Sequence, residues 1–209
     1  MKNKKMLIWT SLVCLIPILV GAAVYSRLPE TMATHWNLNG EADGWSSRAF
    51  AVFGLPGILL AVNLFLPFAL RADPKHENMS EALVKVSLWT IPLLSLLCCG
   101  ITLVRALGYT VRVERWVPIF MDVLSIIIGN YLPKTKQSYT MGIKLPWTLA
   151  SEENWNRTHR LAGFLWVIGG AFFIVMSFIG WNLIAFLIPI ALMVLIPTVY
   201  SYLLYRNGI

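Results

Sequence analysis

A few side chains in this sequence have the types and spacing that chemistry requires. His35 and Asp43 lie in one polar segment, where an imidazole and a carboxylate can form an acid–base pair or share a metal ion. His159 follows a pair of glutamates, and Asp122 stands inside an apolar run. Residues 37–43 contain the amides and carboxylates of a calcium loop without its ligand spacing. We therefore expect no calcium site there. A lone histidine is more often a hydrogen-bonded surface residue than a metal ligand, so we expect no metal site at either histidine.

The sequence has no signature of a catalytic centre. It contains no H-E-x-x-H or G-x-S-x-G motif and no glycine loop that could hold a phosphate. Cys14, Cys98 and Cys99 all lie in apolar runs, where cysteine behaves as a small hydrophobic residue. We predict that the protein is not an enzyme, has no disulfide and needs no cofactor.

The composition is that of an integral membrane protein. Of the 209 residues 57% are hydrophobic and 13% charged, and the mean hydropathy is +0.68. These values exclude a soluble enzyme, a disordered chain and a disulfide-rich secreted domain. The net charge of +7 fits basic cytoplasmic loops and anionic lipid head groups, so we expect the bilayer and not nucleic acid as a partner.

Hydropathy predicts six membrane spans. A bilayer core about 30 Å thick takes roughly 20 helical residues. Three runs of suitable length cover residues 6–24, 49–70 and 86–104, and the run 161–204 is long enough for two spans. Gly180-Trp181-Asn182 is the predicted break between those two, with a glycine for the turn and an interfacial tryptophan. Residues 116–132 form a shorter candidate with Asp122 in its middle.

Charge bias supports the sixth span and gives an orientation. With the amino terminus inside, six spans place 12 of the 17 Lys and Arg residues inside, as the positive-inside rule requires. The five outside are Arg27, Arg48, Arg105, Arg112 and Arg115. Residues 1–23 also resemble a signal peptide, although the apolar run is longer than usual. We expect a multi-pass protein of the bacterial cell membrane with both termini in the cytoplasm.

The predicted fold class is therefore all-α: a six-transmembrane-helix bundle with an ordered outer loop between spans 1 and 2 and an inner loop between spans 4 and 5. In the outer loop, 27–48, Asn39-Gly40 and Asp43-Gly44 are predicted turns. Trp36 and Trp45 are suited to the membrane interface. The loop is thus either an anchored cap or a contact site for an extracellular partner.

The inner loop, 129–160, carries a predicted helix start. Ser151 is a suitable N-cap, and two glutamates follow it in the first turn. On the resulting helix Trp155 and His159 share a face, and Glu153 can pair with Arg157. The face and its basic neighbours, which include Arg160, would meet either lipid phosphate or a soluble partner.

Two sets of residues resemble known families. The first resembles a small domain of unknown function of the DUF1648 type, and consists of Leu28-Pro29, His35-Trp36-Asn37, Gly40 and Asp43-Gly44-Trp45. The second closely resembles the SdpI-like immunity family, and consists of Gly129-Asn130-Tyr131-Leu132-Pro133-Lys134, Gly142-Ile143-Lys144, Pro146-Trp147-Thr148-Leu149, Trp155, Thr158-His159-Arg160 and Gly163. Together they suggest an N-terminal two-span unit, 1–80, and a four-span unit, 81–209.

The resemblance implies a function without enzymatic activity. Such a protein would protect its producer against a secreted killing peptide of the sporulation-delaying type, and could also hold a cytoplasmic transcriptional repressor at the membrane. We predict that the partner-binding residues lie in these two motifs and are His35, Trp36, Asp43, Trp45, Asn130, Lys144, Pro146, Trp147, Thr148, Trp155, Thr158, His159 and Arg160.

Other functions remain open. A solute or ion transporter would use Asp122, because intramembrane acids commonly mark ion routes, together with the helix-bending Pro189 and Pro197. A membrane enzyme would have to use His159 with a nearby glutamate, and a purely structural protein would tolerate alanine in both loops.

Overall fold

The computed structural model describes residues 4–180 and 183–209, and six long apolar helices lie within them. These are α1 (Lys4–Ala23), α2 (Leu55–Arg71), α3 (Glu81–Ala106), α4 (Val113–Tyr131), α6 (Glu152–Ile179) and α7 (Leu183–Arg206). A π-helical turn, Phe50–Gly54, leads into α2, and the short helix α5 covers Pro146–Ala150. Each long helix, with α2 counted together with the π-helical turn before it, is long and apolar enough to cross a bilayer. The prediction of an all-α, six-span membrane protein is confirmed.

Helix α6 ends where the sequence predicts a break. Gly180 has φ +122°, a backbone conformation that favours glycine, and its N–H donates to the Met176 carbonyl at 2.8 Å. Trp181 and Asn182, the other two residues of the predicted break, lie outside the described residues.

The segment between α1 and α2 contains β-structure that the sequence analysis did not predict. Strands β1 (Thr31–Trp36) and β2 (Ala42–Ser47) form an antiparallel pair, which we call the hairpin. Thr31 lies opposite Ser47 and Ala33 opposite Trp45, and the register is irregular beyond Ala33.

One of the two predicted turns is correct and the other is wrong. Gly40 has φ +77° and belongs to the turn between the strands. Asp43-Gly44, in contrast, lies within β2, and Gly44 does not have positive φ. A Cβ at residue 44 would lie 2.9 Å from the Cβ of His35 on the facing strand. Gly44 is therefore explained by close strand packing and not by a turn.

The chain forms two compact units that interleave in sequence. The first comprises residues up to Pro67 together with Ser87–Val117. Its hairpin rests on a small apolar core made by Leu28, Met32, Ala51, Val52 and Leu103. The second comprises Phe68–Val86 and Pro118–Ile209. The division near residue 80 that the motifs suggest stays a prediction.

The second unit contains the segment 129–160, which we call the motif segment. A 3₁₀ turn at Leu132–Lys134 follows α4, an irregular stretch leads to α5, and Ser151 separates α5 from α6. The Ser151 side chain accepts a hydrogen bond from the Asn154 N–H at 3.2 Å. The predicted N-cap and the helix start at Glu152 are thus confirmed.

Candidate functional site

The turn of the hairpin is organised by the side chain of Asn37. Its Oδ1 accepts hydrogen bonds from the backbone N–H groups of Asn39 and Glu41 at 2.9 and 3.0 Å. Its Nδ2 donates to the Glu41 carboxylate at 2.9 Å. This Asx-type arrangement, with Gly40 in positive φ, fixes the tip locally and presents the strands in one conformation.

His35 and Asp43 are brought together across the hairpin. His35 Nδ1 lies 2.5 Å from Asp43 Oδ1, and the two side chains are 73% and 45% exposed. Exposed pairs of this kind contribute at most about 1 kcal/mol to stability. In the described part of the chain no group of three or more His, Cys, Asp or Glu side chains is placed to hold a metal. The pair therefore offers polar contacts at a surface.

The two tryptophans of the hairpin differ in exposure. Trp45 is 58% exposed, and its large amphipathic ring is available to lipid or to a partner. Trp36 is half-buried, and its Nε1 is shielded from solvent without a hydrogen-bond partner among the described residues. Trp45 and the exposed His35–Asp43 pair form the accessible side of the hairpin.

In the motif segment, the His159 side chain is buried and both of its ring nitrogens are hydrogen-bonded. Its ring stacks on Trp155 with centroids 3.9 Å apart. Its Nδ1 donates to the Trp155 carbonyl at 2.8 Å, and its Nε2 accepts from the Ile143 N–H at 2.8 Å. These bonds define the Nδ1-protonated neutral tautomer. Both ring nitrogens are occupied, so the imidazole has no free position for proton transfer in this arrangement.

Trp155 and Gly142 pack against His159, and we call these three residues the histidine clamp. The buried Trp155 donates from Nε1 to the Thr135 carbonyl at 2.9 Å, which ties α6 to the stretch after α4. Gly142 has φ +110°, and a Cβ there would lie 2.5 Å from His159 Nε2 and 2.7 Å from the Trp155 ring. Only glycine fits a position with this backbone conformation and so little space.

Thr148 fixes the entry to α5. It is buried, its Oγ1 accepts from the Leu145 N–H at 2.9 Å, and the same hydroxyl lies 2.8 Å from the Ile143 carbonyl, to which it donates. Pro146 opens the helix, where its missing N–H costs nothing. Together with the histidine clamp, this hydroxyl holds both backbone groups of residue 143.

A further set of motif residues connects α5, α6 and α7. Trp147 Nε1 donates to Ser201 Oγ at 2.8 Å, and Asn154 Nδ2 donates to the Ser201 carbonyl at 2.9 Å. Thr158 Oγ1 donates to Asn154 Oδ1 at 3.1 Å. Asn154, Thr158 and Ser201 are all buried. These residues form a hydrogen-bonded support behind the motif segment.

Sequence reasoning missed a second clamp, made by the loop between α2 and α3. The buried Asp73 accepts hydrogen bonds at 2.7 Å from Ser138 Oγ and from the Lys75 and Thr140 N–H groups. Burial opposes ionisation of Asp73, but these hydrogen bonds outweigh it and lower its pKa to about 2. Lys75 and Asn78 also bond to Gln137. The Asp-Pro dipeptide at 73–74 indicates a turn, but the sequence does not indicate which distant residues bind Asp73.

The remaining predicted residues of the motif segment are accessible. Glu153 and Arg157 form the expected surface pair at 2.5 Å. The exposed residues of this segment are Asn130, Pro133, Lys134, Lys136, Tyr139, Lys144, Pro146, Ala150, Glu152, Glu153, Asn156, Arg157 and Arg160. The structure thus separates the motif segment into a buried, hydrogen-bonded part and an exposed part that carries five basic and two acidic residues.

Asp122 lies within α4 and is 7% exposed. Its Oδ2 has no hydrogen-bond partner among the described residues. Gly170 of α6 packs against it so closely that a Cβ there would lie 2.8 Å from the Asp122 carbonyl. Asn63, a buried polar residue of α2, donates to Thr10 and Ser11 of α1.

Comparison with known proteins identifies relatives of both parts of the chain. Residues 12–60, which include the hairpin, match a domain of unknown function, DUF1648. Residues 134–201 match the SdpI/YfhL protein family. A relative in Bacillus subtilis (strain 168), the immunity protein SdpI, is 29% identical over 206 residues, which cover 98% of this chain and 97% of the relative. No solved structure matches the chain.

Proposed function

Because the chain is an SdpI-like membrane protein, we propose that it confers immunity, protecting the cell that makes it against a secreted antimicrobial peptide of the sporulation-delaying type. The observation that carries the proposal is the relationship to an immunity protein along nearly the whole length of both chains. The activity requires binding and positioning, and no catalytic step.

The geometry suits different roles for the hairpin and the motif segment. An amphipathic peptide partitions to the membrane interface, where the exposed Trp45 and the His35–Asp43 pair of the hairpin offer aromatic and polar contacts. The buried clamps of the motif segment keep that region in one conformation. In this proposal the hairpin receives the toxin and the motif segment supports the fold.

The orientation follows from charge. We place both termini in the cytoplasm of a bacterial cell, so that the hairpin lies outside and the basic motif segment inside. The exposed Lys134, Lys136, Lys144, Arg157 and Arg160 would then face the cytoplasm. They give a surface on which an acidic region of a cytoplasmic repressor can dock, which would make the protein a receptor as well as a resistance factor.

The experiment is a toxin challenge of a sensitive bacterium that expresses the protein. Purified sporulation-delaying peptide is added to cells with the wild type, an empty vector, Trp45→Ala or His35→Ala, and membrane abundance is measured for each. Leu38→Ala is the matched control, because Leu38 is also exposed at the hairpin but lies in the turn. Wild-type survival that both strand variants lose and the turn variant keeps supports the proposal. Full protection by the strand variants would remove the hairpin from toxin binding.

A second candidate function, transport, is favoured by Asp122, whose Oδ2 has no hydrogen-bond partner in the part of the chain that the structure describes. A buried carboxylate within a membrane helix commonly marks an ion route. Proton or solute flux into proteoliposomes that Asp122→Asn abolishes would support it. Flux equal to that of empty liposomes would remove it.

A further inference from the structure

One edge of β1 pairs with β2, and no strand among the described residues pairs with its other edge. The Arg48 N–H donates to the Glu30 carbonyl at 2.8 Å, so this pair is hydrogen-bonded across the hairpin. Hydrogen-bonded and non-bonded pairs alternate in an antiparallel ladder. The pairs of Thr31 with Ser47 and of Ala33 with Trp45 are therefore non-bonded. The N–H and C=O groups of Thr31 and Ala33 point away from β2.

A groove runs along this edge. It has a volume of about 320 Å³ and lies between the start of β1 and the end of α3 with the loop after it. Its lining residues are Pro29, Thr31, Met32, Ala33, Arg105, Ala106, Gly108, Tyr109 and Thr110. Met32 is buried and anchors the strand in the apolar core, whereas Tyr109 is 67% exposed. Both residues with outward backbone groups, Thr31 and Ala33, line the groove.

Arg105 gives the groove a positive charge. Within residues 4–180 and 183–209, no carboxylate forms an ion pair with its guanidinium. Gly108 beside it has φ +90° and no atom within 4 Å of an added Cβ, so the space above the loop is open. The groove thus combines outward backbone donors and acceptors with a guanidinium that forms no ion pair in the described part of the chain.

We propose that this groove binds an extended peptide segment, which adds to β1 as a third strand and places a carboxylate on Arg105. The inference rests on the proposed function, and the occupant is a segment of the toxin peptide. An extended peptide has amides that repeat every two residues along one edge, as the outward groups of Thr31 and Ala33 do. A lipid head group would satisfy Arg105 but has no matching row of amides.

The test measures binding of the purified sporulation-delaying peptide to the full chain in nanodiscs. Ala33→Pro removes the outward N–H while leaving the bonds to β2, and proline is tolerated at sheet edges. Ala33→Ser is its control, because it keeps that N–H. Arg105→Gln is paired with Arg112→Gln, an exposed arginine outside the groove. We expect Kd to rise about 10-fold or more for Ala33→Pro and Arg105→Gln and to stay unchanged for the controls.

A photo-crosslinker provides a readout that misfolding cannot mimic. Placed at the position of Tyr109 it should capture the bound peptide, and placed at Leu38, on the turn, it should not. Wild-type binding that neither Ala33→Pro nor Arg105→Gln weakens would overturn the groove while leaving immunity intact. A wild-type dimer that Ala33→Pro dissociates, with peptide binding unaffected, would assign the edge to a second copy of the chain and also overturn it. Absence of both binding and protection by the wild type would reject the proposed function and the groove together.

Discussion

Replacement of His159 by phenylalanine tests whether this histidine stabilises the fold or binds a ligand. The Phe ring keeps the stacking on Trp155 but removes the acceptor that lies 2.8 Å from the Ile143 N–H. A partly buried N–H without a partner costs about 1–3 kcal/mol. For a chain of this length, that loss corresponds to a decrease of roughly 2–12 °C in unfolding temperature. His159→Ala also loses the stacking and leaves a cavity, so its cost should reach about 3–5 kcal/mol.

The assay is thermal unfolding of the purified protein in detergent, followed by intrinsic tryptophan fluorescence, together with membrane abundance in cells. Arg160→Ala is the control, because Arg160 is adjacent but exposed and should change stability by less than about 0.5 kcal/mol. We expect the order Arg160→Ala, His159→Phe, His159→Ala from most to least stable. If both His159 variants unfold at the wild-type temperature and still lose protection, the reasoning that assigns His159 to the clamp is refuted.

Three further predictions concern backbone fit, pH and topology. Gly142→Ala should lower the unfolding temperature more than Gly208→Ala, because both positions have positive φ but only the first is crowded; equal effects would show that strain alone acts. The folded pKa of Asp73, about 2, lies below the unfolded value of about 3.9. Its contribution to stability is therefore present above about pH 4 and is lost as the pH falls towards 2. The unfolding temperature of the wild type should begin to show this loss between pH 6 and 3, and that of Asp73→Asn should not. With the termini in the cytoplasm, Asn39→Cys should react with an impermeant maleimide in intact cells and Lys136→Cys only after permeabilisation; the opposite pattern would invert the topology.

The six spans were predictable because membrane insertion depends on local composition. Twenty apolar residues in a row have one stable solution in a bilayer, and charge bias resolved the span that contains Asp122. The start of α6 was equally local, since Ser151 and the Glu153–Arg157 pair act within one or two turns of helix.

The hairpin was not predictable by periodicity. Its strands read Thr-Met-Ala-Thr-His-Trp and Ala-Asp-Gly-Trp-Ser-Ser, and only Met32 among them is a buried hydrophobic residue. Both strands are therefore polar and short, and the alternation that identifies a half-buried strand is absent. Gly44 was interpreted as a turn residue because glycine serves turns and close packing alike.

The sequence predicted only some of the contacts that form the clamps of the motif segment. The helical spacing placed Trp155 and His159 on one face, and the structure confirms it. Ile143, which occupies the second ring nitrogen of His159, and Ser138, which binds Asp73, are joined to their partners by tertiary structure. A single sequence carries no signal for such long-range pairs.

The most direct test of immunity is the dose of purified sporulation-delaying peptide that halves the survival of a sensitive bacterium. The measurement compares cells that contain the wild-type protein in their membranes with cells that carry the empty vector. We predict that the wild type raises this dose about 10-fold or more, the shift that a tenfold reduction in effective toxin would give. Identical dose curves for the two strains, with the protein verified in the membrane, would contradict immunity to this peptide.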